Sequence, residues 1–121
     1  MKLHWRLMGM LATASVLVPS ASAHAFLDHA VPAVGSVAHG PPRELRLWFT
    51  QRLEPAFSSS QVLDQSGKRV DNGDPHLDPA DASALVVSLP PLAPGKYRVV
   101  WRVLSVDTHV TEGDFTFQIA Q

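Results

Sequence analysis

The chain has 121 residues, with ten Lys or Arg against eleven Asp or Glu, 45% apolar residues and no cysteine. That length supports one domain with one core, and the slightly acidic balance argues against a nucleic-acid partner. Without cysteine there is no disulfide, thiolate zinc site or iron–sulfur cluster, so packing alone must hold the fold.

Residues 1–23 read as a secretory leader. Lys2 and Arg6 supply positive charge, Leu7 to Val18 is apolar, and Ala21-Ser22-Ala23 is a small-residue pattern of the kind a signal peptidase cuts after. The apolar run is shorter than the roughly 20 residues a membrane span requires. Processing there leaves one domain, residues 24–121, beginning at His24. Its eight basic and eleven acidic residues give a formal charge of −3. Met1, Met8 and Met10 all lie in the leader, so the mature domain is sulfur-free and has no soft ligand for Cu(I). With no second apolar span and no basic amphipathic stretch, it is expected not to be embedded in a membrane, and to be a monomer.

From His24 onward, short alternating runs broken by Pro, Gly, Asn and Asp predict strands and turns. His29 falls in a first strand region, and His39 sits among Gly40-Pro41-Pro42. Leu45, Leu47 and Phe49 alternate with Glu44, Arg46 and Thr50, the pattern of a half-buried strand. Trp48 falls on the outer face, where partial cover by a loop is expected. Gln61 to Asp64 and Ala84 to Leu89 read as strands separated by an acidic loop, Asp71 to Asp81, which carries Pro75, His76 and Pro79. In Lys96 to Val106, Tyr97, Val99, Trp101 and Val103 share one face and Arg98 and Arg102 the other. Phe115, Phe117 and Ile119 point inward in the last run. About seven strands in this length predict an all-β, immunoglobulin-like Greek-key β-sandwich or flattened barrel. In Leu92-Ala93-Pro94-Gly95-Lys96-Tyr97, a tight turn followed by tyrosine resembles a tyrosine corner, whose phenol bonds upstream backbone.

The candidate site joins the two ends of the mature chain. A terminal His24 offers an α-amine and an imidazole from one residue, and Asp107-Thr108-His109 adds a carboxylate and a second imidazole. In an extended segment Asp107 and His109 share a face, with α-carbons roughly 6.6 Å apart. Three nitrogens and one oxygen suit tetragonal Cu(II), which stands at the top of the divalent affinity order; nickel and zinc stay open as occupants in vitro. Both nitrogen types must lose a proton to bind, so affinity falls on acidification. An isolated Asp-x-His pair also fits an ordinary turn. The metal reading comes from His24, which the cleavage pattern places at the terminus without reference to any metal. His29, His39 and His76 read as solvated or surface-packed, because none pairs with a second ligand at a spacing that enforces a common face.

Several longer motifs carry a resemblance: PAVGS at Pro32 to Ser36, LWFTQRLEPAFSS at Leu47 to Ser59, LAPGKYRVVWRVLSVDTHVTEG at Leu92 to Gly113, and FTF at Phe115 to Phe117. With the histidine terminus, they resemble the copper resistance protein CopC family, including its YobA-like members. The resemblance implies a periplasmic immunoglobulin-like sandwich that holds Cu(II) through the amine and imidazole of His24, Asp107 and His109. It further implies copper homeostasis or resistance, with a CopD-type membrane copper transporter as partner. Two departures stand out. Family members that also carry a Cu(I) site have a methionine-rich loop in mid-chain; here the corresponding loop, Asp71 to Asp81, is sulfur-free, which implies a Cu(II)-only member. Where the family often has glutamate, Phe49-Thr50-Gln51 supplies an amide.

Three functions compete: a non-enzymatic Cu(II) carrier or store, a copper redox enzyme of the lytic polysaccharide monooxygenase kind, and a metal-free immunoglobulin-like interaction module. A charged Asp107 would fill the fourth position and favour Cu(II), against oxygen activation. No nucleophilic triad, phosphate-cradling loop or paired-carboxylate motif supports a hydrolase.

Overall fold

The computed structural model describes residues 24–121; the leader and its cleavage pattern, residues 1–23, lie outside them. Eight strands form two open four-stranded sheets. The first sheet has the order β1 (Leu27–Val31), β3 (Glu44–Phe49), β6 (Asp81–Ser88), β5 (His76–Asp78), all antiparallel. The second has the order β2 (Val37–Ala38), β8 (Val110–Ile119), β7 (Gly95–Leu104), β4 (Ser59–Leu63), with β2 parallel to β8. The only helical piece among the described residues is a 3-10 turn, Pro55–Phe57. The molecule is thus a sandwich rather than a closed barrel. Its strands exceed the expected seven because β2 and β5 are only two and three residues long.

Alternation builds the core. Leu45, Leu47 and Phe49 from β3 face Val99, Trp101, Val103, Phe115 and Phe117 from β7 and β8, all under 9% exposed. Burying such side chains is the main cohesive term in a chain without cross-links. Trp101 packs edge-on against Phe49, with ring centroids 5.1 Å apart. Its indole also lies over Gly113, its cross-strand partner. A Cβ at Gly113 would sit 2.6 Å from the ring, so only glycine fits beneath it. The tyrosine corner is formed: the Tyr97 hydroxyl donates to the Ala93 carbonyl at 2.6 Å.

Two expectations change. Trp48 is half-buried, but its cover is not a loop. The His29 ring from β1 stacks on it at 4.3 Å and 9°, and the Arg46 guanidinium lies 5.6 Å from its centroid. The acidic stretch Asp71 to Asp81 is likewise more ordered than a loop, because it contributes the edge strand β5. Its carboxylates are used internally. Asp71 accepts from the amides of Val62 and Gly73 at 2.9 and 2.8 Å and pairs with Arg69. Asp74 accepts from the Ser88 amide, Asp78 from Arg46 and the Ala80 amide, and Asp81 from Ser83.

The Asp71 side chain has no exposure. Burial pushes its carboxyl up, but the Arg69 guanidinium and the amides of Val62 and Gly73 outweigh that and hold it below the usual carboxylate range. The carboxyls of Asp74, Asp78 and Asp81 are also lowered, chiefly by bonds from Ser88, the Ala80 amide and Ser83. A lowered folded-state value means stability that is fully present above the ordinary aspartate range and lost as pH falls through the folded value. Urea midpoints should therefore hold from neutral pH down to about 5 and fall below about 4. Asp71→Asn should cost about 1–3 kcal/mol at pH 7 and make the acid limb shallower; an unchanged limb would contradict this wiring.

Candidate metal centre

The site is built at the end of the sandwich where the start of β1 meets the β7–β8 turn. Residues 24–26 precede β1 and are held on two sides. On the first sheet, the Thr50 amide donates to the Phe26 carbonyl at 2.9 Å, and the Phe26 amide donates to the Thr50 hydroxyl at 3.0 Å. The same hydroxyl lies 3.4 Å from the His24 carbonyl, to which it donates. On the second sheet, the Thr111 hydroxyl donates to the Ala25 carbonyl at 2.6 Å. Ala25 is fully buried, whereas Phe26 points outward at 56% exposure.

The turn between β7 and β8 is closed by its own backbone. The Ser105 amide donates to the His109 carbonyl at 3.0 Å, and the Thr108 amide to the Ser105 carbonyl at 2.9 Å. The buried Ser105 hydroxyl accepts from the His109 amide at 3.4 Å. Neighbouring backbone bonds, Val106 amide to Arg52 carbonyl and Glu54 amide to Leu104 carbonyl, tie the turn to the segment after β3. The turn's position relative to the first sheet is therefore fixed.

These constraints bring His24 and His109 together. Their ring centroids are 4.6 Å apart with planes at 53°, His24 half-buried and His109 exposed. From that spacing, rotations about side-chain bonds can place one nitrogen of each ring on the order of 2 Å from a common ion, the usual metal–imidazole distance. Asp107 is exposed in the same turn. The expected extended geometry of Asp107 to His109 is not what forms: Thr108 has φ 72°, a left-handed conformation that breaks strand alternation. The same-face argument for Asp107 and His109 thus fails here, because the segment is a turn. Among the described residues, no three His, Asp or Glu side chains are arranged so that they could hold a metal ion as they stand.

The other histidines among the described residues lie elsewhere. His29 is stacked on Trp48, with Nδ1 2.6 Å from a carboxylate oxygen of Asp28. His76 is exposed, with Nδ1 2.7 Å from the Asp74 carbonyl, and His39 is exposed just after β2. Thr50, Ser105 and Thr111 do not stand out in the sequence as site residues. The one usable signal is Thr111, a polar residue on an inward position opposite the fully buried Val103. Beside Gln51, it is the Thr50 hydroxyl that bonds the first residues.

A family model described as the CopC domain matches residues 27–120. Protein YobA of Escherichia coli K12 is 33% identical over 110 residues, covering 90% of this chain and 89% of that protein. The structure of CopC from Methylosinus trichosporium OB3b superposes with TM-score 0.76 at 35% identity, over 80% of this chain and 94% of that one. PcoC, a methionine-rich copper resistance protein from Escherichia coli, superposes with TM-score 0.68 at 31% identity, over 80% and 99%.

The strained Thr108 offers a test of the turn. A β-branched residue at positive φ costs on the order of 1 kcal/mol, and asparagine adopts this region more readily. Thr108→Asn should raise stability to urea by about that amount. A loss of stability instead would show that the Thr108 hydroxyl, which donates to the Asp107 carbonyl at 2.5 Å, outweighs the strain.

Proposed function

This chain belongs to the CopC family, and on that premise we propose that it is a periplasmic copper protein that holds one Cu(II) as cargo. The ligands in this reading are the α-amine and imidazole of His24, the imidazole of His109 and the carboxylate of Asp107. The observation that carries it is the approach of the His24 and His109 rings from opposite ends of the described chain.

The chemistry of the donors supports Cu(II). Nitrogen and carboxylate ligands in tetragonal arrangement favour it, whereas Cu(I) favours thiolate and thioether. Residues 24–121 contain no cysteine and no methionine, in contrast to a relative described as methionine rich. An amine and imidazole from one residue form a chelate, and a second imidazole from a rigid turn fixes its orientation. Asp107, exposed in the same turn, would supply the fourth ligand, and its charge would favour the oxidised metal. Since ligation requires proton loss, an acidic environment releases the ion.

Copper homeostasis or resistance follows as the role, without catalysis. The site lies at an exposed edge, where an incoming ligand can displace the metal. That suits delivery to a CopD-type membrane copper transporter as well as sequestration. The reading also places the protein outside the cytoplasm after removal of residues 1–23, because only processing exposes the His24 amine.

The test uses competition titrations with Cu(II) on protein beginning at His24. One ion should bind, and His109→Ala should weaken binding more than about 100-fold, beyond the 10–100-fold typical of groups that only support a ligand. One additional residue before His24 should have a similar effect, while His76→Ala should leave affinity unchanged. Equal binding by the extended protein, or the largest loss at His76, would overturn the assignment.

A further inference from the structure

Residue 24 is a chain end in the proposed mature protein, and chain ends fray unless something ties them down. Apolar burial does little of that here. Ala25 contributes only a buried methyl, and the Phe26 side chain is turned to solvent. The sheet ladder does little more. The β1–β3 register shifts between Leu27 and His29, so the pairing is irregular just where it approaches the site.

Beyond the backbone bond from the Thr50 amide to the Phe26 carbonyl, two hydroxyls remain, one directly after β3 and one on β8. Thr111 lies on β8 two residues after His109 and donates to the Ala25 carbonyl at 2.6 Å. A single stretch of backbone therefore carries His109 and grips the residue next to His24. Thr50, directly after β3, accepts from the Phe26 amide and donates to the His24 carbonyl. Between them the hydroxyls engage residues 24, 25 and 26.

We infer that Thr50 and Thr111 are positioning residues for the metal centre, clamping residues 24–26 between the sheets so that the His24 ring stands beside His109 before the ion arrives. This rests on the proposed reading of His24 and His109 as ligands. A clamp of this kind raises affinity because the ordering of the first ligand is complete in the metal-free protein. It touches no ligand atom and acts through backbone alone.

Thr111→Val keeps the side-chain shape and removes the donor; Thr111→Ser keeps the donor; Thr50→Val probes the other sheet. All are made in protein beginning at His24, which contains the whole sandwich. In metal-free wild type, NMR should show ring-to-ring contacts between His24 and His109 and slow amide exchange at Phe26, whose amide donates to the Thr50 hydroxyl. Thr111→Val and Thr50→Val should each lose the ring contact and speed exchange there. Cu(II) dissociation constants should rise about 10–100-fold, while amides of β7 and β8 beyond Glu112 keep their protection. Thr111→Ser should restore both readouts.

Wild-type ring contacts in either valine variant would overturn the inference, as would failure of Thr111→Ser to restore affinity. Loss of protection throughout β7 and β8 would also overturn it, by showing a role in the fold rather than the site. If wild type takes up no Cu(II), the ligand reading fails on its own. The metal-free ring contact still reports whether the hydroxyls hold His24 in place.

Discussion

The hydrogen bond from the Thr111 hydroxyl to the Ala25 carbonyl crosses from one sheet of the sandwich to the other at the end where His24 and His109 meet. It can form only if the sheets are held at a fixed separation, and with no disulfide that separation is set by the core. Phe49 and Trp101 are large contributors, one from each sheet, packed edge to face. Gly113 lets the indole approach β8 closely. The site thus depends on a short chain of contacts: glycine admits tryptophan, tryptophan meets phenylalanine, and Thr50 follows phenylalanine directly in the chain.

Much of this was legible in the residues. Strict alternation in Leu45 to Phe49, Tyr97 to Val103 and Phe115 to Ile119 marks which face is buried, and the Tyr97 corner follows from the Pro-Gly turn before it. Other features leave no comparable trace. The irregularity near Asp28 allows Leu27 and Ala30, three residues apart, to pair with inward residues of β3, Phe49 and Leu47; simple alternation forbids that. β5 hides in an acidic stretch because three residues flanked by prolines are too few for a periodic signal. The left-handed Thr108 is harder still, since threonine is among the residues least expected there.

Both histidines of the candidate site could be named from the sequence, but their proximity could not. It is a consequence of topology. β1 is an edge strand of the first sheet, the β7–β8 turn caps the second, and both open at one end of the sandwich. Asp107 shows the opposite case, where a spacing argument valid for a strand does not survive the formation of a turn. The many aspartates of residues 71–81 illustrate a third. Composition shows only an acidic stretch; in the fold its carboxylates are occupied by amides, hydroxyls and arginines of the protein itself.

On the proposed reading, one cupric ion draws on both ends of the chain at once. Pulsed electron paramagnetic resonance on protein beginning at His24, loaded with one equivalent of Cu(II) and labelled with nitrogen-15 in its histidine rings, measures that directly. The account predicts two imidazoles coupled to the same copper, one from His24 and one from His109. A spectrum with a single imidazole, or with none, would contradict it.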